Sequence, residues 1–153
     1  HVLFGGGGGA EEAGGTPAGT GPGTRAGASS VDRIVVLAHG SCGAVKAAIE
    51  QTTASPSEVT PAIRKELESI QPAVQQEWFA SQQASPYVDP ALIDVDAVGR
   101  RHLDETINAL MRQSKVISDA VAVGDLAIVG CQYQLEEGRV SPISWVGKVD
   151  IAA

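Results

Sequence analysis

Aromatic side chains make up only 4% of this 153-residue chain, so its core must come from Val, Ile, Leu and Ala within a hydrophobic content of 43%. Cysteine occurs twice, at Cys42 and Cys131. Two thiols make no disulfide scaffold, and a chain of this length needs none. Their plain reading is reduced thiols in a cytoplasmic protein; the sharper one gives a thiol to a metal. Basic residues are outnumbered 11 to 18, for a net charge of −7. That argues against a nucleic-acid partner, which calls for a basic face. No stretch approaches the roughly 20 apolar residues of a membrane-spanning helix, so no membrane partner is expected. The start lacks the basic segment of a signal peptide, and His1 in place of Met suits a fragment or a processed product.

Residues 1–30 hold 11 of the 18 glycines, including the run Gly5 to Gly9. Glycine loses the most backbone entropy on ordering, and little apolar surface is present here to offset it, so this segment reads as a flexible tail that packs against nothing. An ordered domain is expected over 31–153. Residues 33–38, Arg-Ile-Val-Val-Leu-Ala, form a short β-branched run with the pattern of a central strand buried on both faces. A tight turn, His39-Gly40-Ser41-Cys42-Gly43, leads into helix formers at 44–51. A second helix is expected between Ser57 and Phe79, capped at Ser57 or Thr60, with Pro61 at its start and Pro72 kinking or dividing it. Ile63, Leu67, Ile70 and Val74 give it one apolar stripe. Residues 81–90 read as a loop. One long helix is expected over 94–122, burying Val98, Leu103, Ile107, Leu110, Met111 and Ile117 and ending at Gly124. Residues 126–130 read as a second buried strand continued by Tyr133 and Leu135, residues 136–138 as a turn, and 139–146 as a last, partly exposed strand.

The chemistry concentrates at His39-Gly40-Ser41-Cys42-Gly43. Imidazole nitrogen and thiolate sulfur are preferred zinc donors, and His-x-x-Cys spacing lets His39 and Cys42 reach one ion from a single turn. Cys42 also stands where a helix begins, and the positive end of its dipole favours an anionic ligand. Spacing by itself supplies two donors where a tetrahedral site needs four. The plain alternative is a small buried thiol beside a satisfied core histidine.

The stretch from Ile34 to Val45, Ile-Val-Val-Leu-Ala-His-Gly-Ser-Cys-Gly-Ala-Val, resembles the second zinc motif of β-class carbonic anhydrases, with Ala38 where that family commonly has Gly. Arg100-Arg101-His102 through Ile107, and Ser114 to Ile117, are similar to the family's long helix. Leu126 to Gly130 and Tyr133 to Val140 are similar to its following strand and hairpin. The resemblance covers about residues 31–147. It implies an α/β fold with a central, mainly parallel sheet flanked by helices, and a zinc enzyme that reversibly hydrates carbon dioxide to bicarbonate. It further implies His39 and Cys42 as metal ligands, Gly43 as a backbone contributor to the substrate pocket, and a homodimer or higher homo-oligomer. The family's first motif, Cys-x-Asp-x-Arg, which supplies another ligand and an Asp-Arg pair, has no counterpart in this sequence. A domain truncated at its N-terminus is the simplest expectation, and no catalytic residue is assigned.

Three rivals are weighed against that reading. One is a non-enzymatic structural or regulatory relative, to which the absent first motif points. Another is a sister carbonyl sulfide or carbon disulfide hydrolase on the same scaffold. The third is a nucleotide-binding domain using Gly40 to Gly43 as a phosphate turn, which lacks both G-x-G-x-x-G and the P-loop lysine. Elsewhere, Cys131 reads as a core thiol and His102 as a surface or interface residue. Trp78 and Trp145 read as packing anchors, and Asp104-Glu105 as a solvated helix face.

Overall fold

A computed structural model describes residues 2–4, 32–82, 84 and 86–149. Its sheet has four strands in the order β1-β2-β3-β4: Val2–Phe4, Arg33–His39, Ala127–Gln134 and Arg139–Val146. The central pair, β2 with β3, is parallel, with Arg33 opposite Ala127 and His39 opposite Tyr133. The outer pairs are antiparallel. The connections explain this mixture. β2 and β3 are joined through helices, as a parallel crossover requires, whereas β3 and β4 form a hairpin.

At the head of the segment read as a tail, β1 pairs with β2, Val2 lying opposite Val36 and Phe4 opposite Ile34. Three apolar residues there satisfy backbone groups that β2 would otherwise leave open at its edge. The remainder of the proposed tail, residues 5–31, lies outside the described residues.

Between β2 and β3 run α1 (Gly43–Glu50), α2 (Pro61–Glu68), α3 (Gln71–Ala80), a 3-10 turn (Pro90–Leu92), α4 (Val95–Gln113) and α5 (Lys115–Val123). Thr60 caps α2, its hydroxyl accepting from the Ile63 amide with Pro61 at the first position. Pro72 divides the segment as the sequence suggests. It has no N–H to give the Glu68 carbonyl, so the helix breaks at Ser69–Ile70 and restarts. The predicted stripe is split with it: Leu67, Ile70 and Val74 are buried, whereas Ile63 is 49% exposed.

The single long helix is corrected to two. Ser114 adopts an extended conformation (φ −120°, ψ 103°), its amide closes α4 on the Leu110 carbonyl, and its hydroxyl caps α5 by accepting from the Ile117 amide. A serine that can cap backbone groups competes with helix continuation. Gly124, in the left-handed conformation at φ 85°, ends α5.

Two apolar clusters form the core. One joins α1, α2, α3 and the start of α4 through Val45, Ile49, Leu67, Val74 and Val98. The other lays Leu103 and Ile107 of α4 on Ile34, Val36 and Ile128 of the sheet. Burial on both faces belongs to β3, continuous from Ala127 to Cys131. In β2, Ile34 and Val36 face α4 and are buried, whereas Val35 and Leu37, on the opposite face, are only half-buried. Two further expectations are corrected. Leu135 sits in the hairpin turn rather than the strand and is 58% exposed, and Trp145 is 53% exposed on the edge strand β4 rather than packed. Trp78 does pack against the first cluster.

Candidate metal centre

The end of β2 and the start of α1 place the two predicted donors. His39 is the last strand residue and is exposed. The Gly40 amide extends the ladder by donating to the Tyr133 carbonyl at 3.0 Å. Ser41 turns the chain with a positive φ of 53°, a region few non-glycine residues occupy. Cys42 is then the N-cap of α1, half-buried, and its thiol makes no capping hydrogen bond. Its carbonyl accepts the first helical bond, from Lys46, at 3.0 Å.

His39 and Cys42 line one cavity of about 220 Å³, with walls from Val36, Ala38, Val45, Ile70 and Leu103. The cavity is smaller than the pockets that enclose drug-sized ligands and suits a small molecule or an ion. The His39 Nδ1 lies 3.2 Å from the Gly40 carbonyl oxygen. That acceptor favours the tautomer with its proton on Nδ1, which leaves the Nε2 lone pair for a metal. Sulfur and nitrogen donors beside one cavity fit zinc in kind. In number they are half a set: among the described residues, no group of three or more His, Cys, Asp or Glu side chains is placed to hold a metal ion.

Gly43, the first residue of α1, has open space beside it: an added Cβ would meet nothing within 4 Å, so packing does not dictate glycine there. Cys131 is a free, buried core thiol, and burial raises its pKa. Asp104 is exposed, and Glu105 bonds with Gln76 across the helix surface, as a solvated face would.

Two residues were missed by the sequence reading. His102, read from the sequence as a surface or interface residue, is half-buried: it lines the same cavity as His39 and Cys42, and its Nδ1 is buried without a hydrogen-bond partner. Desolvation lowers its pKa, opposed by a hydrogen bond to the Ser69 backbone and by the charge of Glu105. The signal available was helical spacing, since Gly99, His102, Leu103 and Thr106 share one stripe and all face the cavity. The other is Asp96, whose Oδ1 accepts from the Ser41 amide at 3.0 Å. Nothing in the sequence marks a contact between residues 55 positions apart.

The carbonic anhydrase family pattern matches residues 26–140 of this chain. The chain belongs to the β-carbonic anhydrase family. It is 36% identical over 122 residues to carbonic anhydrase 2 of Mycobacterium tuberculosis, a match covering 78% of this chain and 53% of that protein. It is 34% identical over 120 residues to a carbonic anhydrase of Mycolicibacterium smegmatis, covering 78% and 52%. This member of the family therefore spans about half the length of the curated relatives it matches. Among solved structures, a tetrameric β-carbonic anhydrase of Sordaria macrospora superposes with a TM-score of 0.58 at 17% identity, over 74% of this chain and 53% of the other. A β-carbonic anhydrase of Aspergillus fumigatus gives a TM-score of 0.57 at 20% identity, over 74% and 49%. These likenesses establish the fold.

Proposed function

We propose that this β-carbonic anhydrase chain serves the reversible hydration of carbon dioxide to bicarbonate, with His39 and Cys42 as two zinc ligands and the remaining ligands drawn from chain beyond the described residues. The observation that carries this reading is the convergence of the two donors on one cavity at the end of a central strand, in a member of this family. The chemistry such an ion supplies is acidification of bound water to a pKa near 7, so that a nucleophile for carbon dioxide exists at neutral pH. The protein's part is legible in its residues. Val36, Ala38 and Val45 present apolar walls to an apolar substrate. The Gly40 carbonyl holds the His39 ring in its metal-binding tautomer. Gly43, next to Cys42 at the start of α1 though not among the residues lining the cavity, contributes its backbone to the substrate pocket under this reading.

The metal assignment is tested by titrating the 153-residue chain with Co2+, whose thiolate charge-transfer absorption reports a sulfur ligand. Cys42→Ser should abolish that absorption and Cys131→Ser should leave it. The reverse pattern, or none with the wild-type chain, would overturn the assignment.

A second reading has one observation in its favour. The absence of a third donor among the described residues suits a catalytically incompetent structural or regulatory relative. A hydration assay on the longest natural polypeptide containing this chain separates the two. We further propose homo-oligomerisation, supported by the tetrameric state of the Sordaria enzyme and by the exposure of Val140 and Trp145 on edge strand β4. Light scattering coupled to size exclusion should give a mass of at least two chains. A reducing compartment such as the cytoplasm is in keeping with two unpaired cysteines.

A further inference from the structure

We propose that Asp96 is the positioning residue of the His39–Cys42 turn: its carboxylate, delivered by the first turn of α4, locks Ser41 in the left-handed conformation that brings both donors to one cavity. The inference builds on the zinc reading above but stands on separate observations. Ser41 and Gln82 are the only non-glycine residues with positive φ among those described, and Ser41 lies between the two donors. An L-residue seldom holds that conformation unless its surroundings dictate it.

The surroundings here can be named. On one side of Ser41, the Gly40 amide is fixed to the Tyr133 carbonyl at 3.0 Å; on the other, the Cys42 carbonyl is fixed by the Lys46 amide at 3.0 Å. In the middle, the Ser41 amide donates to Asp96 Oδ1 at 3.0 Å. A carboxylate acceptor makes this a charge-assisted bond. Asp96 is also free for the task. The N-cap of α4 is Asp94, whose carboxylate accepts from the Asp96 and Ala97 amides at 2.9 and 3.1 Å. Among the described residues, Asp96 makes no ion pair. The sequence separation of 55 residues makes Asp96 the tie between the long α4 helix and the turn at the end of the sheet.

This role predicts a particular pattern of rescue. Asp96→Ala removes the acceptor and frees the turn. Asp96→Asn keeps an oxygen in place. Ser41→Gly, added to Asp96→Ala, removes the Cβ that makes the left-handed conformation unfavourable. The experiment uses the 153-residue chain with two readouts. The first, without metal, is amide hydrogen exchange and the 15N-1H positions of residues 40–43. Ser41 exchange should quicken about tenfold in Asp96→Ala and change little in Asp96→Asn. In the double variant the Cys42 and Gly43 signals should return toward their wild-type positions. The second is Co2+ affinity, expected to fall about tenfold in Asp96→Ala, less in Asp96→Asn, and to recover substantially in the double variant.

Unchanged exchange in Asp96→Ala would overturn the proposal. So would a loss of Co2+ affinity equal in Asp96→Asn and Asp96→Ala with no recovery on adding Ser41→Gly, because Asp96 would then act through its charge. If no variant and not the wild type binds Co2+, while exchange and signal positions follow the pattern above, the zinc reading fails and Asp96 stands as the lock of the turn.

Discussion

His102 couples the cavity to pH. Its ring is partly desolvated, which lowers its pKa below the ordinary 6.5, with the Ser69 backbone bond and Glu105 opposing the shift. A lowered folded-state pKa means that the unfolded chain binds this proton first as pH falls. The contribution of His102 to stability is therefore fully present above about pH 6.5 and is lost as pH drops through the folded value. Wild-type protein should be less resistant to urea at pH 5 than at pH 7.5, and His102→Gln, which keeps a donor for Ser69 but cannot charge, should show a smaller drop. Denaturation midpoints at the two pH values check this, and an equal drop in both proteins would contradict it. At this scale the sequence was readable where the chemistry is local. His39 and Cys42 are three residues apart on one turn, so their shared reach follows from spacing. His102 and Asp96 join the site through the docking of α4, a tertiary fact with no local signature.

The seam between α4 and the sheet depends on the lack of a side chain at Gly130. A Cβ there would sit 2.6 Å from Ser144 Oγ, 2.9 Å from Ile107 Cδ1 and 3.1 Å from Leu103 Cδ2. Ile107 and Leu103 are both 3% exposed and have no room to retreat. Gly130→Ala should destabilise by about 1–3 kcal/mol, the usual range for overpacking a filled core. Ser144 Oγ is itself buried without a partner, so Ser144→Ala in the same protein should recover part of the loss. Thermal unfolding of the single and double variants checks both claims. Full stability in Gly130→Ala would mean that α4 can shift on the sheet. Element boundaries divided in the same way between local and tertiary causes. Pro61, Pro72 and Gly124 act through their own dihedrals, and the sequence placed them correctly. Ser114 is different, because serine tolerates a helix interior as well as a cap, and the break it makes shows only in the fold, where Ile117 and Val121 of α5 pack against the second cluster. Ser114→Ala should cost about 1 kcal/mol, as loss of an N-cap hydroxyl does, measurable as a lowered unfolding midpoint.

For the molecule as a whole, the fold brings two potential metal donors, His39 and Cys42, to one cavity. The strand, turn and helix that carry His39 and Cys42 are built and held, by β3 on one side and by α4 on the other. Among the described residues, no group of three or more His, Cys, Asp or Glu side chains is placed to hold a metal ion. Metal affinity rises steeply with each protein donor, and zinc centres normally use three or four. Under the proposed function, the 153-residue chain alone should hold zinc weakly and hydrate carbon dioxide slowly. Exposed apolar residues on β4, Val140, Ile143 and Trp145, should also favour self-association. Addition of a segment carrying the family's Cys-x-Asp-x-Arg motif, in one chain with this one, should raise both zinc affinity and turnover by well over about tenfold, because it would add a ligand together with an Asp-Arg pair to orient it. Metal content after dialysis and stopped-flow hydration, measured on the short and the extended polypeptides, decide the matter. If the short chain retains one zinc ion per molecule and turns over rapidly, the ligand set has been misassigned and includes donors placed elsewhere, Cys131 being the first to substitute. If the extended chain gains metal but no activity, the two ligands are right and the protein is a binding relative of the enzyme rather than the enzyme itself.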